Sequence, residues 1–318
     1  MTRKLDVGCA QLGPISRSDS RAEVVARLIA LLEEGKERGC QLVVFPELAL
    51  TTFFPRWWLD DQDEIDGFYE RQMPSPETQP LFDRARELEV GFCIGYAELD
   101  ESGPETRRFN TSILVGPDGR IIGKYRKVHL PGHSDQREDW DFQHLEKHYF
   151  DASDTGFPVW RAFGGILGMA ICNDRRWPET YRVMGLQGVE LVMIGYNTPI
   201  ADPEVPHHDH LQSFHNHIVM QAGAYQNGTF VIAAAKCGQE EGSTMLGQSV
   251  IVAPTGEIVA QATSMGDELI TARIDLDICA DIKNYMFNFE MHRQPQHYGL
   301  IVERRGAVPP PLVDQGQG

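Results

Sequence analysis

Apolar and polar positions follow a strand–helix rhythm along the first third of the chain. Residues 5–12 carry short apolar stretches suited to a strand. Over residues 20–38, Val24, Val25, Leu28, Ile29, Leu31 and Leu32 recur on a broad helical stripe that runs out at Gly39. Residues 41–45 form a compact, unalternated β-branched and aromatic run stopped by Pro46, the pattern of a strand buried on both faces. A second helix, over about 80–88, leads to a strand over 90–96.

The centre brings hairpins. Val115-Gly-Pro-Asp-Gly-Arg-Ile-Ile122 sets turn residues between two strand-like runs, and Val252-Ala-Pro-Thr-Gly-Glu-Ile-Val259 repeats the pattern 252 − 115 = 137 residues later. Two such hairpins suggest an internal pseudo-repeat in which each half contributes a sheet. Between them the pattern predicts strands at 165–171 and 189–195, a helix at 178–187 opening on a proline, and a long helix at 208–226. Strands at 230–235, 248–253 and 267–274 follow. No Ser/Gly-rich linker divides the chain, so a single α/β domain of residues 1–303 with two sheets covered by helices is the expected architecture. Residues 304–318, with their Pro-Pro-Pro and Gln-Gly-Gln-Gly runs, are expected to form a mobile tail.

Composition narrows the function classes. The 318 residues include 29 Lys+Arg against 46 Asp+Glu, a net charge of −17 that repels phosphate backbones and anionic lipid. Nucleic acid and membrane are therefore not expected partners. The N-terminal residues lack the apolar core of a signal peptide, and the six cysteines contain no Cys-x-x-Cys pair. Reduced thiols in a cytoplasmic protein are the expectation.

Three reactive side chains stand where predicted strands end: Glu47 after Val43-Val-Phe-Pro46, Lys127 after the run from Ile121, and Cys172 after Gly168-Met-Ala-Ile171. Each has an ordinary explanation: a surface carboxylate, one member of a solvated basic cluster, a small core residue. Together they could do more. A thiol of ordinary pKa, about 8.5, needs a base or cation beside it to become a nucleophile near neutral pH. Glu47 could take the proton, and the Lys127 ammonium could steady thiolate and oxyanion. Backbone amides of the helix opening near Pro178 are candidates for the rest of an oxyanion site.

The segments Val43-Val-Phe-Pro-Glu-Leu48, Gly123-Lys-Tyr-Arg-Lys-Val-His-Leu130 and Gly168-Met-Ala-Ile-Cys-Asn-Asp-Arg175 resemble the three catalytic blocks of the nitrilase (carbon–nitrogen hydrolase) superfamily. The intervals fit as well: 127 − 47 = 80 and 172 − 127 = 45. Segments 48–57, 172–179, 195–199 and 292–299 extend the similarity to the branch acting on N-carbamoyl-D-amino acids, over about residues 3–303. The resemblance implies a four-layer α-β-β-α sandwich and a cofactor-free hydrolase working as a homodimer or homotetramer. In it Cys172 is the nucleophile, Glu47 the general base, Lys127 the oxyanion stabiliser and Glu146 a second glutamate of the site.

Arg175 and Arg176 follow the nucleophile closely. Cations are disfavoured in a first helical turn, so two of them there invite an anion, and the resemblance assigns them to a substrate α-carboxylate. Asn173, His144, Asn197 and Thr198 are further pocket candidates. The histidines at 207, 208, 210, 215 and 217 have spacings that could suit a metal, but the resemblance implies none. The alternatives are another activity of the superfamily (amidase, ureidopropionase or nitrilase), a metal-dependent hydrolase built on those histidines, and a silent binding module.

Overall fold

The computed structural model describes residues 2–140 and 142–312. Its first half runs β1 (Lys4–Gln11), α1 (Arg21–Glu37), β2 (Leu42–Val44), α2 (Gln62–Gly67), β3 (Tyr69–Glu70), α3 (Gln79–Leu88), β4 (Gly91–Asp100), β5 (Arg107–Val115) and β6 (Ile121–Arg126). The second half runs α4 (Glu146–Tyr149), β7 (Val159–Ala162), β8 (Gly165–Ile171), α5 (Pro178–Leu186), β9 (Leu191–Tyr196), α6 (Gln212–Asn227) and β10 (Phe230–Ala235). It continues with β11 (Cys237–Glu240), β12 (Ser243–Leu246), β13 (Val250–Val252), β14 (Ile258–Gln261) and β15 (Glu268–Asp275).

Two large sheets result, ordered β15-β1-β2-β4-β5-β6 and β14-β13-β10-β9-β8-β7. They repeat one plan. Each has three parallel strands (β1, β2, β4 and β8, β9, β10), followed by an antiparallel hairpin (β5–β6 and β13–β14). The two hairpins share a register irregularity and a turn glycine with positive φ, Gly119 and Gly256. At the other end β15 pairs antiparallel with β1, as β7 does with β8. The halves predicted from the doubled hairpin are thus two copies of one sheet, the first copy closed by a strand from the end of the chain.

Residue alternation builds the layers. In β2, Leu42 and Val44 face the second sheet and pack with Met169, Ile194 and Ile232. Val43, with Phe45 just after the strand, turns outward onto Leu28, Leu31 and Leu32 of α1 and Leu81, Phe82 and Ala85 of α3. Tyr181 and Met184 of α5 and Met220 and Ala224 of α6 cover the second sheet. The arrangement is a four-layer α-β-β-α stack. Ser20 caps α1 through a reciprocal Ser20–Glu23 pair, which fixes its start.

Two expectations need correction. The helix predicted over 208–226 is broken: Pro206–Leu211 forms a 3₁₀ turn and α6 begins only at Gln212. The polar histidine run carries no side-chain cap and buries nothing, so it has no core face to hold it in the α-helix. Likewise Cys172–Arg176 is a 3₁₀ turn of its own ahead of α5. Arg175 and Arg176 therefore lie in the last turn of that element, not in the first turn of α5, and the dipole argument for an anion there falls away. Of the predicted tail, residues 304–312 are exposed, and 313–318 lie outside the described residues.

Candidate active site

The ends of β2, β6, β8 and β9 converge between the two sheets, where open α/β sheets place their sites. Glu47 enters this junction because two strands carry glycine where it passes. A Cβ on Gly95 would lie 2.7 Å from the Glu47 Cα, and one on Gly195 2.3 Å from the Glu47 nitrogen. Lys127 follows β6, with its backbone N–H donating to the Asn110 carbonyl at 2.9 Å. Its neighbours Lys124 and Arg126 pair instead with Glu98, so the basic cluster divides and Lys127 alone turns inward.

The result is a buried charge cluster. Lys127 Nζ donates to Glu47 Oε1 at 2.7 Å and to Glu146 Oε2 at 2.6 Å, and none of the three is more than 1 % exposed. Asn110 Nδ2 donates to the same two oxygens at 2.8 and 3.3 Å, and the Asn197 N–H donates to Glu47 Oε2 at 3.0 Å. Burial opposes the Lys127 ammonium, but the Glu146 and Glu47 charges outweigh it and hold the group protonated well above its usual range. Burial pushes the Glu146 carboxyl up to about 7. One cation serves two carboxylates, so the second is the one that can carry a proton.

Cys172 takes φ +45°, a left-handed conformation that is strained for a residue with a side chain. The strained turn is pinned by Asp174, which sequence reasoning did not single out. Its Oδ2 accepts from Tyr125 Oη at 2.6 Å and the Ile171 N–H at 3.1 Å, and its Oδ1 accepts from the His129 N–H at 2.9 Å. The Cys172 turn and the lysine segment are thereby held by one carboxylate. Cys172 Sγ donates to the Asn197 carbonyl at 3.3 Å. Burial, then the Glu47 charge, raises the thiol pKa, while Lys127 and Arg175 pull it down. The 3₁₀ turn starts at Cys172 itself, so the amide that follows Cys172 is that of Asn173 rather than one from α5.

A cavity of about 260 Å³ opens onto this group and is lined by Cys172, Glu146, His144, Asn173, Asn197 and Thr198, with Arg176 beside them. The two arginines part company here. Arg175 is 1 % exposed and is absent from the cavity wall. Its guanidinium donates to Asn216 Oδ1 at 3.1 and 2.9 Å, Thr198 Oγ1 at 2.8 Å and the Cys172 carbonyl at 2.7 Å, over the face of Tyr196. Its remaining N–H points to Cys172 Sγ at 3.6 Å, so in this structure Arg175 sits beneath Cys172, and the anion expected against it would have to compete for these donors. Arg176 is exposed, reaches the cavity and has no ion-pair partner among the described residues. His144 is pushed down to about 4 by burial and is neutral near pH 7. His208 and His215 line the cavity mouth. Among the described residues no three His, Cys, Asp or Glu side chains form a group that could hold a metal.

The family model for carbon-nitrogen hydrolases matches residues 6–284. The chain belongs to that family. It is 29 % identical over 303 residues to an N-carbamoylputrescine amidase of Arabidopsis thaliana, covering 91 % of this chain and 93 % of the relative. It is 28 % identical over 301 residues to a citrullinase of Francisella tularensis, covering 91 % and 96 %. A carbon-nitrogen hydrolase structure from Helicobacter pylori superposes with a TM-score of 0.81 at 24 % identity, over 95 % of this chain and 99 % of the other, which shows the shared fold. The chain is a hydrolase of C–N bonds. Among the described residues no helix is long and apolar enough to cross a membrane.

Proposed function

We propose that the protein hydrolyses N-carbamoyl amino acids, of D configuration, to the amino acid, ammonia and carbon dioxide. The observation that carries this reading is Arg176, a guanidinium without an ion-pair partner in the cavity that holds Cys172. An α-carboxylate on the substrate would answer it. Preference for the D form rests on the similarity of residues 48–57, 172–179, 195–199 and 292–299 to the branch that acts on those compounds.

In the proposed reaction Glu47 takes the Cys172 proton as the thiolate adds to the carbamoyl carbon. The Lys127 ammonium and the Asn173 N–H face the developing oxyanion. Glu47 returns the proton to the departing nitrogen, leaving a thioester on Cys172. A water deprotonated by Glu47 then cleaves the thioester, frees the thiol and releases a carbamic acid, whose remaining C–N bond breaks to give carbon dioxide and the second amine product. Glu146 keeps Lys127 in place throughout, and the protein works as a homodimer or homotetramer. A panel of N-carbamoyl-D- and L-amino acids, simple amides and a nitrile, assayed for ammonia release, tests the reading. Turnover confined to the D-carbamoyl compounds is expected. A preference for neutral amides or for the nitrile would replace it with another activity of the family.

A further inference from the structure

The inner end of the cavity and its mouth make different demands on a substrate. At the inner end Asn197 is 3 % exposed and spends its Nδ2 on the Glu47 carbonyl, while its Oδ1 has no hydrogen-bond partner. A buried acceptor of this kind wants an N–H donor, which a carbamoyl group carries and an ester does not. At the mouth the lining includes Arg176 together with two carboxylates, Asp202 and Glu204. Neither carboxylate makes an ion pair among the described residues; Asp202 accepts only a local bond from the Glu204 N–H, at 3.0 Å.

Counting charge around the mouth gives one cation against two anions. Glu146, deeper in, is already answered by Lys127. An N-carbamoyl amino acid brings an α-carboxylate, which Arg176 can balance, and this leaves Asp202 and Glu204 facing the substrate unanswered. An acidic side chain would add repulsion, a neutral one would leave the imbalance, and a side chain ending in an ammonium would remove it. We propose that Asp202 and Glu204 make this enzyme selective for N-carbamoyl amino acids with a cationic side chain, of the lysine or ornithine type. The inference rests on the carbamoyl amino acid reading above and adds the side-chain class to it.

The test compares kcat/KM for the N-carbamoyl derivatives of lysine, norleucine and glutamate, which differ chiefly in terminal charge. For partly exposed carboxylates the lysine derivative should exceed the norleucine derivative by about three- to tenfold at low salt, with the glutamate derivative slowest. The lysine-to-norleucine ratio should collapse towards unity in Asp202→Asn/Glu204→Gln and shrink in about 0.5 M salt, where the screening length is only a few ångströms. A ratio that the double substitution leaves unchanged, or an equal loss on all three substrates, overturns the proposal. If no carbamoyl amino acid is turned over, the parent reading fails, and 6-aminohexanamide against hexanamide puts the same question to the mouth alone. Preference for the amine, abolished by the double substitution, upholds the selectivity; no preference overturns it.

Discussion

Lys127 is committed before any substrate arrives, because its ammonium is already shared between Glu47 and Glu146 at 2.7 and 2.6 Å. In the proposed mechanism catalysis then depends on charges held in advance rather than gathered on binding. Cys172→Ala should abolish turnover, by at least about 10⁴-fold, while leaving the fold intact, and one alkylating equivalent should inactivate the wild type at Cys172 where EDTA does not. Substantial residual activity in the alanine variant would remove Cys172 from the mechanism. Glu47→Gln and Lys127→Ala should each lower kcat by roughly 10²–10³. The site should also leave a signature in stability. Between about pH 4.5 and 7, native Glu146 holds a proton that the unfolded chain releases, so its contribution falls as pH rises. Between about pH 4 and 6.5, unfolded His144 binds a proton that the native site refuses, so its contribution rises. The two oppose each other. Glu146→Gln should steepen the gain in stability across pH 4.5–7 and His144→Gln should flatten it; urea midpoints that run parallel to wild type in both variants would contradict the assigned protonation states.

Among the elements, the 3₁₀ turn Cys172–Arg176 and the strand ends around it do the positioning, and here the sequence was readable only in part. Periodicity located the buried strands, and the doubled Pro-x-Gly hairpin revealed the repeat, because both are local patterns. Glu47, Lys127 and Cys172 were legible because each stands where a predicted strand ends. Asp174 and Asn110 were not, since the bonds that tie them to the lysine segment and the carboxylates reach 45–49 and 36–63 positions away. The available signal for Asn110 was a lone amide in the otherwise strand-like run Phe109–Val115. The surroundings of Arg175 were illegible for a related reason: a sequence shows a cation beside Cys172 but not Asn216, which holds it from α6. Removing Asp174 strands two buried donors and a half-buried one, so Asp174→Ala should cost about 3 kcal/mol and lower kcat as the Cys172 turn relaxes. Gly195→Ala presses a methyl onto the Glu47 backbone and should cost about 1–3 kcal/mol, again with a fall in kcat. Denaturant midpoints measured beside kcat check both; unchanged kcat in a destabilised Gly195→Ala would show that Glu47 is positioned by other contacts.

Across the whole molecule the repeat explains where the chain can be cut. β15 pairs with β1 along its full length, from Lys4 opposite Asp275 to Gln11 opposite Glu268, and buries Leu269, Ile270 and Ile274. The sheet carrying Glu47 and Lys127 is therefore completed by residues more than 250 positions from its first strand. Beyond Glu303 the described residues to 312 are exposed and contribute nothing to either core. A chain ending at Glu303 should accordingly keep its melting temperature within about 2 °C and its kcat, since surface segments away from core features carry little stability. A chain ending before Glu268 should lose cooperative unfolding altogether, because β1 would become an unpaired edge beside an uncovered apolar face. Calorimetry of the two truncations decides the matter. Loss of the transition in the first would place part of the fold or its assembly in the tail, and a cooperative transition in the second would mean that the two sheets hold together without their closing strand.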